Sequence, residues 1–497
     1  MSSDAEASVT GRPAPANAGA AGDRAATTIG GAVLTADPQA PRALAGVLRD
    51  RLGPDAVVED PDVLAGYRHD HAPMAAAGHA GLAVRARSAA GVAATVEAAA
   101  AHGVPVVPRG AGSGLTGGAN AVDGCVVLDV SPMDRILELD EVNQLAVVEP
   151  GVLNADLTAA VRERGLDYPP DPASADISSI GGNVATNAGG LCCVKYGVTR
   201  NYVLGLETVL ADGRRMGTGQ RTRKGVAGYD LVQLLTGSEG TLGVFTEVTV
   251  RLRPAPPPPA TCVAVFASLD AAGEAVSTIS RTRLEPSLLE LLDQPTLAAI
   301  EAWQPIGLDP DAAAVLIGQS DAAGATAADD AEAMAAVCRD AGARWADATP
   351  DPAEGEALLT ARRLAYPALE ARGTPLLDDV CVPVDALPAL IAAVQRIATD
   401  HDVLIGTFGH AGDGNLHPTL VFDRHDPAAR DAAHGAFTAV LRAARDLGGT
   451  IAGEHGIGTL KQAHLGALEL DPVAHELQRA VKHAFDPHGH LNPGKAL

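Results

Sequence analysis

The chain has 497 residues, 47% of them hydrophobic, with 37 basic against 61 acidic side chains and a formal net charge of -24. That length exceeds what one ordinary core organises, so two or three domains are expected, with ample apolar material to bury. The acidic excess repels phosphate backbones and anionic lipid, which argues against a nucleic-acid role and means that any anionic substrate must meet locally placed cations.

Residues 1–40 are rich in Ala, Gly, Ser and Pro and carry few large apolar side chains, so a disordered tail is expected there. No basic segment followed by an apolar core opens the chain, and no run of about 18 apolar residues occurs anywhere, so the expectation is a cytoplasmic protein without a transmembrane segment. From Pro41 the pattern becomes helical through Leu52. Leu82-Ala-Val-Arg85 reads as a strand, Ala89 to His102 as a helix, and Val104-Pro-Val-Val107 as a short strand running into glycine. Further strands are expected around residues 125–130, 145–149, 202–210 and 246–252. Pro254-Ala-Pro-Pro-Pro-Pro259 is a stiff connector and marks a domain boundary. Beyond it, strands such as Cys262–Phe266 and Ala314–Ile317 alternate with Ala-rich helical stretches, an α+β pattern.

The six cysteines are scattered without a C-x-x-C pair, so neither an iron–sulfur cluster nor a disulfide framework is encoded. Adjacent Cys192 and Cys193 read better as small apolar fillers than as a redox pair.

Three glycine clusters punctuate the first half. The first, Arg109-Gly110-Ala111-Gly112-Ser113-Gly114-Leu-Thr-Gly117, contains a literal G-x-G-x-x-G, yet no helix is expected after it, so it is not a Rossmann fingerprint. Its glycines can instead turn backbone N–H groups onto a diphosphate, with Arg109 as a supplementary cation. The second is Pro172-Ala-Ser174 followed by Ile-Gly181-Gly182-Asn183-Val-Ala-Thr-Asn187-Ala-Gly-Gly190, and the third Gly237-Ser-Glu-Gly240-Thr-Leu-Gly-Val244. Three small-residue loops separated by strands would let one long, flat cofactor lie against backbone.

Near the C-terminus, Gly409-His410-Ala-Gly-Asp413-Gly-Asn415-Leu-His417 and Gly453-Glu454-His455-Gly456 place imidazoles and a carboxylate among glycines. This is the donor set of an open divalent-metal site with a base beside it, and zinc, manganese and iron all suit it. Taken alone it suggests metal-dependent hydrolysis.

The three glycine clusters, together with Lys195-Tyr196-Gly197, resemble the FAD-binding domain of the vanillyl-alcohol oxidase/p-cresol methylhydroxylase (PCMH) family, and the C-terminal half resembles the FAD-linked oxidase C-terminal domain. Within that group, His417-Pro-Thr-Leu-Val-Phe-Asp423 and Phe485-Asp-Pro-His-Gly-His-Leu-Asn492-Pro-Gly-Lys495 are most similar to glycolate oxidase D subunits, with D-lactate dehydrogenases close by. The resemblance implies an α+β fold: a two-part PCMH-type FAD-binding domain over 41–256, a ferredoxin-like substrate cap over 257–455, and a helical segment over 456–497 returning to the FAD domain. It implies noncovalent FAD held by Arg109, Gly110, Ala111, Gly112, Ser113, Gly114, Pro172, Ser174, Gly181, Gly182, Asn183, Asn187, Gly240, Val244 and Asn492.

The same resemblance carries the metal ligands onto His410, His417 and Glu454 and the general base onto His455. It also places the substrate-carboxylate cation at Arg362, in a motif whose tryptophan is replaced by Leu359, with Arg363 as the alternative. Lys461 is a further candidate cation or a surface residue, and Asp413 and Asn415 either orient ligands or cap the turn. Thr419 stands where the hydroxyglutarate enzyme has asparagine, which favours a small substrate over a long dicarboxylate. The expected activity is oxidation of a small D-2-hydroxy acid, glycolate or D-lactate, to the 2-oxo acid. The alternatives are a D-2-hydroxyglutarate dehydrogenase-like activity and a non-redox alkylglycerone-phosphate synthase-like flavoenzyme. A quinone, a cytochrome, a partner iron–sulfur subunit or oxygen would serve as electron acceptor, an electron-accepting partner could also hold the enzyme at a membrane, and a homo-oligomer is compatible with all of these features.

Overall fold

Short runs of β-branched and aliphatic residues form the strands of three larger sheets in the computed structural model, which describes residues 39–497. All but the last two residues of the expected tail lie outside the described residues. The first sheet has the order Val57–Val58, Leu82–Arg85, Val126–Asp129, Val106–Arg109, and its last three strands are parallel. A parallel step needs a crossover, which the helix Ala89–Ala101 supplies. Ser88 caps this helix by accepting from the Gly91 amide at 3.2 Å, and Val92, Val96 and Ala99 bury its inner face. The strand Val106–Arg109 delivers the first glycine cluster at its end, and the next regular element is the strand Val126–Asp129, not a helix. The Rossmann reading is thereby excluded.

The second sheet is antiparallel, in the order Ile136–Asp140, Leu145–Val148, Val244–Arg251, Val203–Val209, Arg215–Gly219. The second glycine cluster differs from the expected loop. Residues Ile180–Thr186 form a short α-helix, because Ser179 accepts from the Gly182 amide at 3.3 Å and Asn187 closes the helix in a left-handed conformation, φ 55°.

After Arg253–Pro254, which pairs with Leu166–Asp167, the proline-rich stretch leads into an eight-stranded antiparallel sheet. Period-two alternation divides its side chains between two cores. Ala264, Phe266, Leu289, Leu291, Leu316 and Ile405 face the helices Leu269–Arg281, Thr326–Asp340, Leu387–His401 and Pro427–Asp446. Val263, Leu288, Leu292, Val315 and Phe408 face Gln294–Trp303 and Pro352–Glu370. The architecture is α+β, as the alternation of strand and helix patterns predicts.

The chain end folds back onto the first sheet. Leu491 forms a parallel bridge with Val106, the Val106 amide donates to the His490 carbonyl at 2.8 Å, and the Asn492 amide donates to the Val106 carbonyl at 2.8 Å. No helix among the described residues is long and apolar enough to cross a membrane.

Candidate active site

Sheet register assembles the site from distant segments. Leu288, Glu290 and Leu292 share one face of their strand; Glu290 is paired with His410, and Phe408 with His417. Glu290, Phe408, His410 and His417 therefore all project toward the face covered by Pro352–Glu370, the helix that carries Arg362. The Gly453–Gly456 loop enters from the side. Its shape is fixed by Asp379, whose Oδ2 accepts the backbone amides of Glu454 and His455 at 2.8 and 2.9 Å. Two glycines are required by close approach: a Cβ on Gly453 would lie 2.2 Å from Asn415 Nδ2, and one on Gly189 would lie 2.2 Å from Glu454 Oε2.

Glu454 is the hub. Its Oε1 lies 3.2 Å from His410 Nε2, 3.2 Å from His417 Nε2 and 3.5 Å from His455 Nε2. Burial opposes ionisation of Glu454, but His410 and the hydrogen bonds from all three imidazoles hold its carboxyl well below the usual range. His417 is pushed down to about 4, chiefly by burial, and is a neutral imidazole with a lone pair to offer. His410 and His455 are also penalised by burial, yet both are raised: His410 by Glu290 and Glu454, His455 by Asp379 and Glu454.

The expected ligands His410, His417 and Glu454 are thus brought together, with their donor atoms all within 4.8 Å of one another. Two neutral-capable imidazoles and an ionised carboxylate on a buried wall fit a divalent cation with positions left for substrate. A second set, Asp379, His417 and His455, satisfies the same distance criterion. His417 Nδ1 and His455 Nδ1 are buried and without a hydrogen-bond partner among the described residues, and His417 Nδ1 lies 3.7 Å from Asp379 Oδ1.

These groups line a cavity of about 1530 Å³. All of residues 109–114 line it, as do Pro172, Ser174, Gly181, Gly182, Asn183, Gly240 and Val244, together with Arg362, His410, His417, Glu454 and His455. The glycines leave backbone open to an extended cofactor: Gly112 has φ 73°, which side-chain-bearing residues rarely adopt, and a Cβ on Gly110 would meet Ser179 Oγ at 2.5 Å. Arg362 donates through Nε to buried Glu290 and lies with its guanidinium carbon 4.7 Å from the Phe408 ring centroid. Arg363 also lines the cavity but is exposed and paired with Glu356.

Asn187 does not line the cavity, and its Oδ1 accepts from the Arg200 amide at 2.9 Å as part of the helix stop. Asn492 does not line it either; its Nδ2 donates to the carbonyls of the lining residues Gly118 and Glu239 at 2.9 and 2.6 Å. One expectation needs correction: Lys461 is neither a surface residue nor a cavity cation. It is 1% exposed and pairs with Asp378 at 2.8 Å while donating to the Asp379 and Ile451 carbonyls. Lys461→Met should therefore strand a buried carboxylate and destabilise the fold by about 3 kcal/mol, read as a lowered thermal midpoint. An unchanged midpoint would remove this bracing role. Asn415 does orient the site, donating to Asp379 Oδ1 at 2.8 Å, and Asp413 caps the Asn415 amide.

Sequence reasoning missed Glu290, Asp379 and Asp171. Glu290 Oε1 accepts from His410 Nδ1 at 2.6 Å, and its carboxyl is held at about 2 despite burial, by His410 and Arg362. Asp171 lines the cavity and is raised to about 7 by burial. A detectable signal existed: Leu288-Leu-Glu290-Leu-Leu and Leu377-Asp-Asp379-Val each place acids inside apolar runs, where an unpaired charge is prohibitively costly. The six cysteines are free; Cys192 lines the cavity, and burial pushes the Cys192 and Cys193 thiols up. His71, to which the sequence reading gave no role, also lines the cavity.

Comparison with known proteins identifies the family. A family profile described as "FAD linked oxidases, C-terminal domain" matches residues 255–496, and one described as "FAD binding domain" matches residues 80–219. The glycolate oxidase subunit GlcD of Bacillus subtilis is 45% identical over 395 residues, 79% of this chain and 84% of that protein. The D-lactate dehydrogenase of Archaeoglobus fulgidus is 35% identical over 444 residues, 87% of this chain and 95% of that protein. Among solved structures, 4-ethylphenol oxidase from Gulosibacter chungangensis superposes with a TM-score of 0.76 at 20% identity, covering 93% of this chain and 98% of that one. A substrate-bound p-cresol methylhydroxylase gives 0.74 at 19%, covering 92% and 96%, and these two show a shared fold. With a two-part match along the sequence and relatives at this identity over most of both chains, the chain belongs to the FAD-linked oxidases and is an FAD-dependent oxidoreductase.

Proposed function

We propose that the protein oxidises a small 2-hydroxy acid, glycolate or D-lactate, to the 2-oxo acid, using noncovalent FAD, a divalent cation held by His410, His417 and Glu454, and His455 as general base. The observation that carries this reading is the convergence of three imidazole nitrogens on Glu454 Oε1 in the glycine-lined cavity that Arg362 also lines. The activities named for the relatives supply the substrate class. When bound, FAD supplies the two-electron acceptor and the cation supplies Lewis acidity.

The chain's own residues do the rest. Arg362 keeps its Nε on Glu290, which leaves the two terminal nitrogens of its fork for a substrate carboxylate. The cation–π contact of its guanidinium carbon, 4.7 Å from the Phe408 ring centroid, helps hold the group in place. His455 is the proton acceptor in this reading, and Asp379 and Glu454 raise its affinity for protons against the opposing effect of burial. Gly189 and Gly453 exclude side chains that would otherwise fill the space around Glu454 and Asn415.

The test is anaerobic mixing of the purified flavoprotein with glycolate, D-lactate, L-lactate and D-2-hydroxyglutarate, following loss of flavin absorbance. Bleaching by glycolate or D-lactate is expected, and bleaching by none of the four would sink the substrate assignment. In the same assay Arg362→Ala should raise the substrate concentration needed by about 30-fold or more, the loss of a charge-assisted pair, while FAD content stays at the wild-type level. Unchanged substrate affinity would move the anchor to Arg363.

A further inference from the structure

We propose that Glu290 is the positioning residue that ties the cation end of the site to its carboxylate end, by holding His410 with one oxygen and Arg362 with the other. The proposal rests on the reading of His410 as a ligand and Arg362 as the substrate anchor. Glu290 is wholly buried in the middle of the strand Leu288–Asp293, between Ile317 on one side and His410 on the other, so its backbone cannot shift without breaking both pairings. Its Oε1 lies 2.6 Å from His410 Nδ1, and its Oε2 accepts from Arg362 Nε.

Each bond fixes something its partner needs. A proton kept on His410 Nδ1 leaves the Nε2 lone pair directed at the cation position beside Glu454, and a carboxylate behind a ligand imidazole strengthens it as a donor. The bond to Arg362 uses Nε and leaves the two terminal nitrogens uncommitted to Glu290. The guanidinium is also clamped against Phe408, on the strand that carries His410. One carboxylate thus sets both the tautomer of a ligand and the aim of the anchor.

Glutamine at this position is the informative change. Its amide has nearly the same shape but one accepting oxygen, so of the two donors, His410 Nδ1–H and Arg362 Nε–H, one must face an NH2 group. The experiment uses FAD-loaded protein and two probes. Zn²⁺ affinity is measured by competition with a chromogenic chelator. Propionate, a carboxylate with no hydroxyl to oxidise, is titrated through its perturbation of the flavin spectrum.

Glu290→Gln should weaken Zn²⁺ by about 10- to 100-fold and weaken propionate as well, whereas Arg362→Met should weaken propionate and leave Zn²⁺ within about threefold. Glu290→Gln protein with either affinity at the wild-type value overturns the proposal. If Glu290→Gln yields no folded flavoprotein, the double variant Glu290→Gln/Arg362→Met removes the stranded guanidinium. It should bind Zn²⁺ at least about tenfold more weakly than Arg362→Met alone, and equal affinity in those two overturns the proposal. A wild type that takes up no Zn²⁺ instead overturns the cation reading of His410, His417 and Glu454, and this proposal with it.

Discussion

Glu454→Ala is expected to lose the bound divalent cation and to slow substrate-dependent flavin reduction by about 10³-fold while FAD stays bound at wild-type stoichiometry. The reason lies in where each group sits. Glu454 Oε1 is the single atom on which the Nε2 atoms of His410, His417 and His455 converge, so its removal leaves the imidazoles without the negative charge that offsets a cation. The glycine cradle at residues 109–114 is held by other contacts, including the Ala111 amide on Ser179 Oγ, and does not depend on Glu454. Metal analysis of the purified variant and anaerobic stopped-flow mixing give the two readouts. Chelation of the wild type should reproduce the kinetic defect, and added Zn²⁺ or Mn²⁺ should restore the wild type but not the variant. Wild-type metal content in Glu454→Ala would remove Glu454 from the ligand set.

The parts of this site that could be read from the sequence were those written as local clusters. Gly409-His410 to His417 and Gly453-Glu454-His455 are short segments whose glycines already mark close approach, and the structure brings their side chains within a few ångströms. The strand pattern was legible for the same reason, since period-two alternation is a local property. What escaped was whatever depends on pairing across the sheet. Glu290 is 120 residues from His410 in sequence, and only strand register makes them neighbours. Asp379 acts mainly through backbone amides of residues 75 and 76 positions away, which no side-chain motif records.

The side-chain amides of Asn187 and Asn492 bond to backbone: Asn187 stops a helix, and Asn492 ties the chain end to the cavity-lining residues Gly118 and Glu239. The sequence reading failed at Lys461. A lysine read on its own is a surface residue, and only the ion pair with Asp378 and the Asp379 and Ile451 carbonyls explain its burial.

His455→Ala should keep both FAD and the divalent cation yet slow flavin reduction by about 10²- to 10⁴-fold, the usual contribution of a positioned proton acceptor. The change is mild for the scaffold because Asp379 grips His455 through its backbone amide, which alanine retains. What is lost is the imidazole stacked on His417 with ring centroids 4.9 Å apart and interplanar angle 21°. Two readouts separate a base from an alternative role. A base works only as neutral imidazole, so the wild-type rate should fall as pH drops below its pKa, which Asp379 and Glu454 raise against the opposing effect of burial. That acid limb should disappear in the variant. The second readout is metal content, because His455 also belongs to the donor set formed with Asp379 and His417. If His455→Ala lost its cation as fully as Glu454→Ala, the histidine would be a ligand, and the proton acceptor would have to be sought among the other cavity acids, with Asp171, raised to about 7 by burial, the first to test.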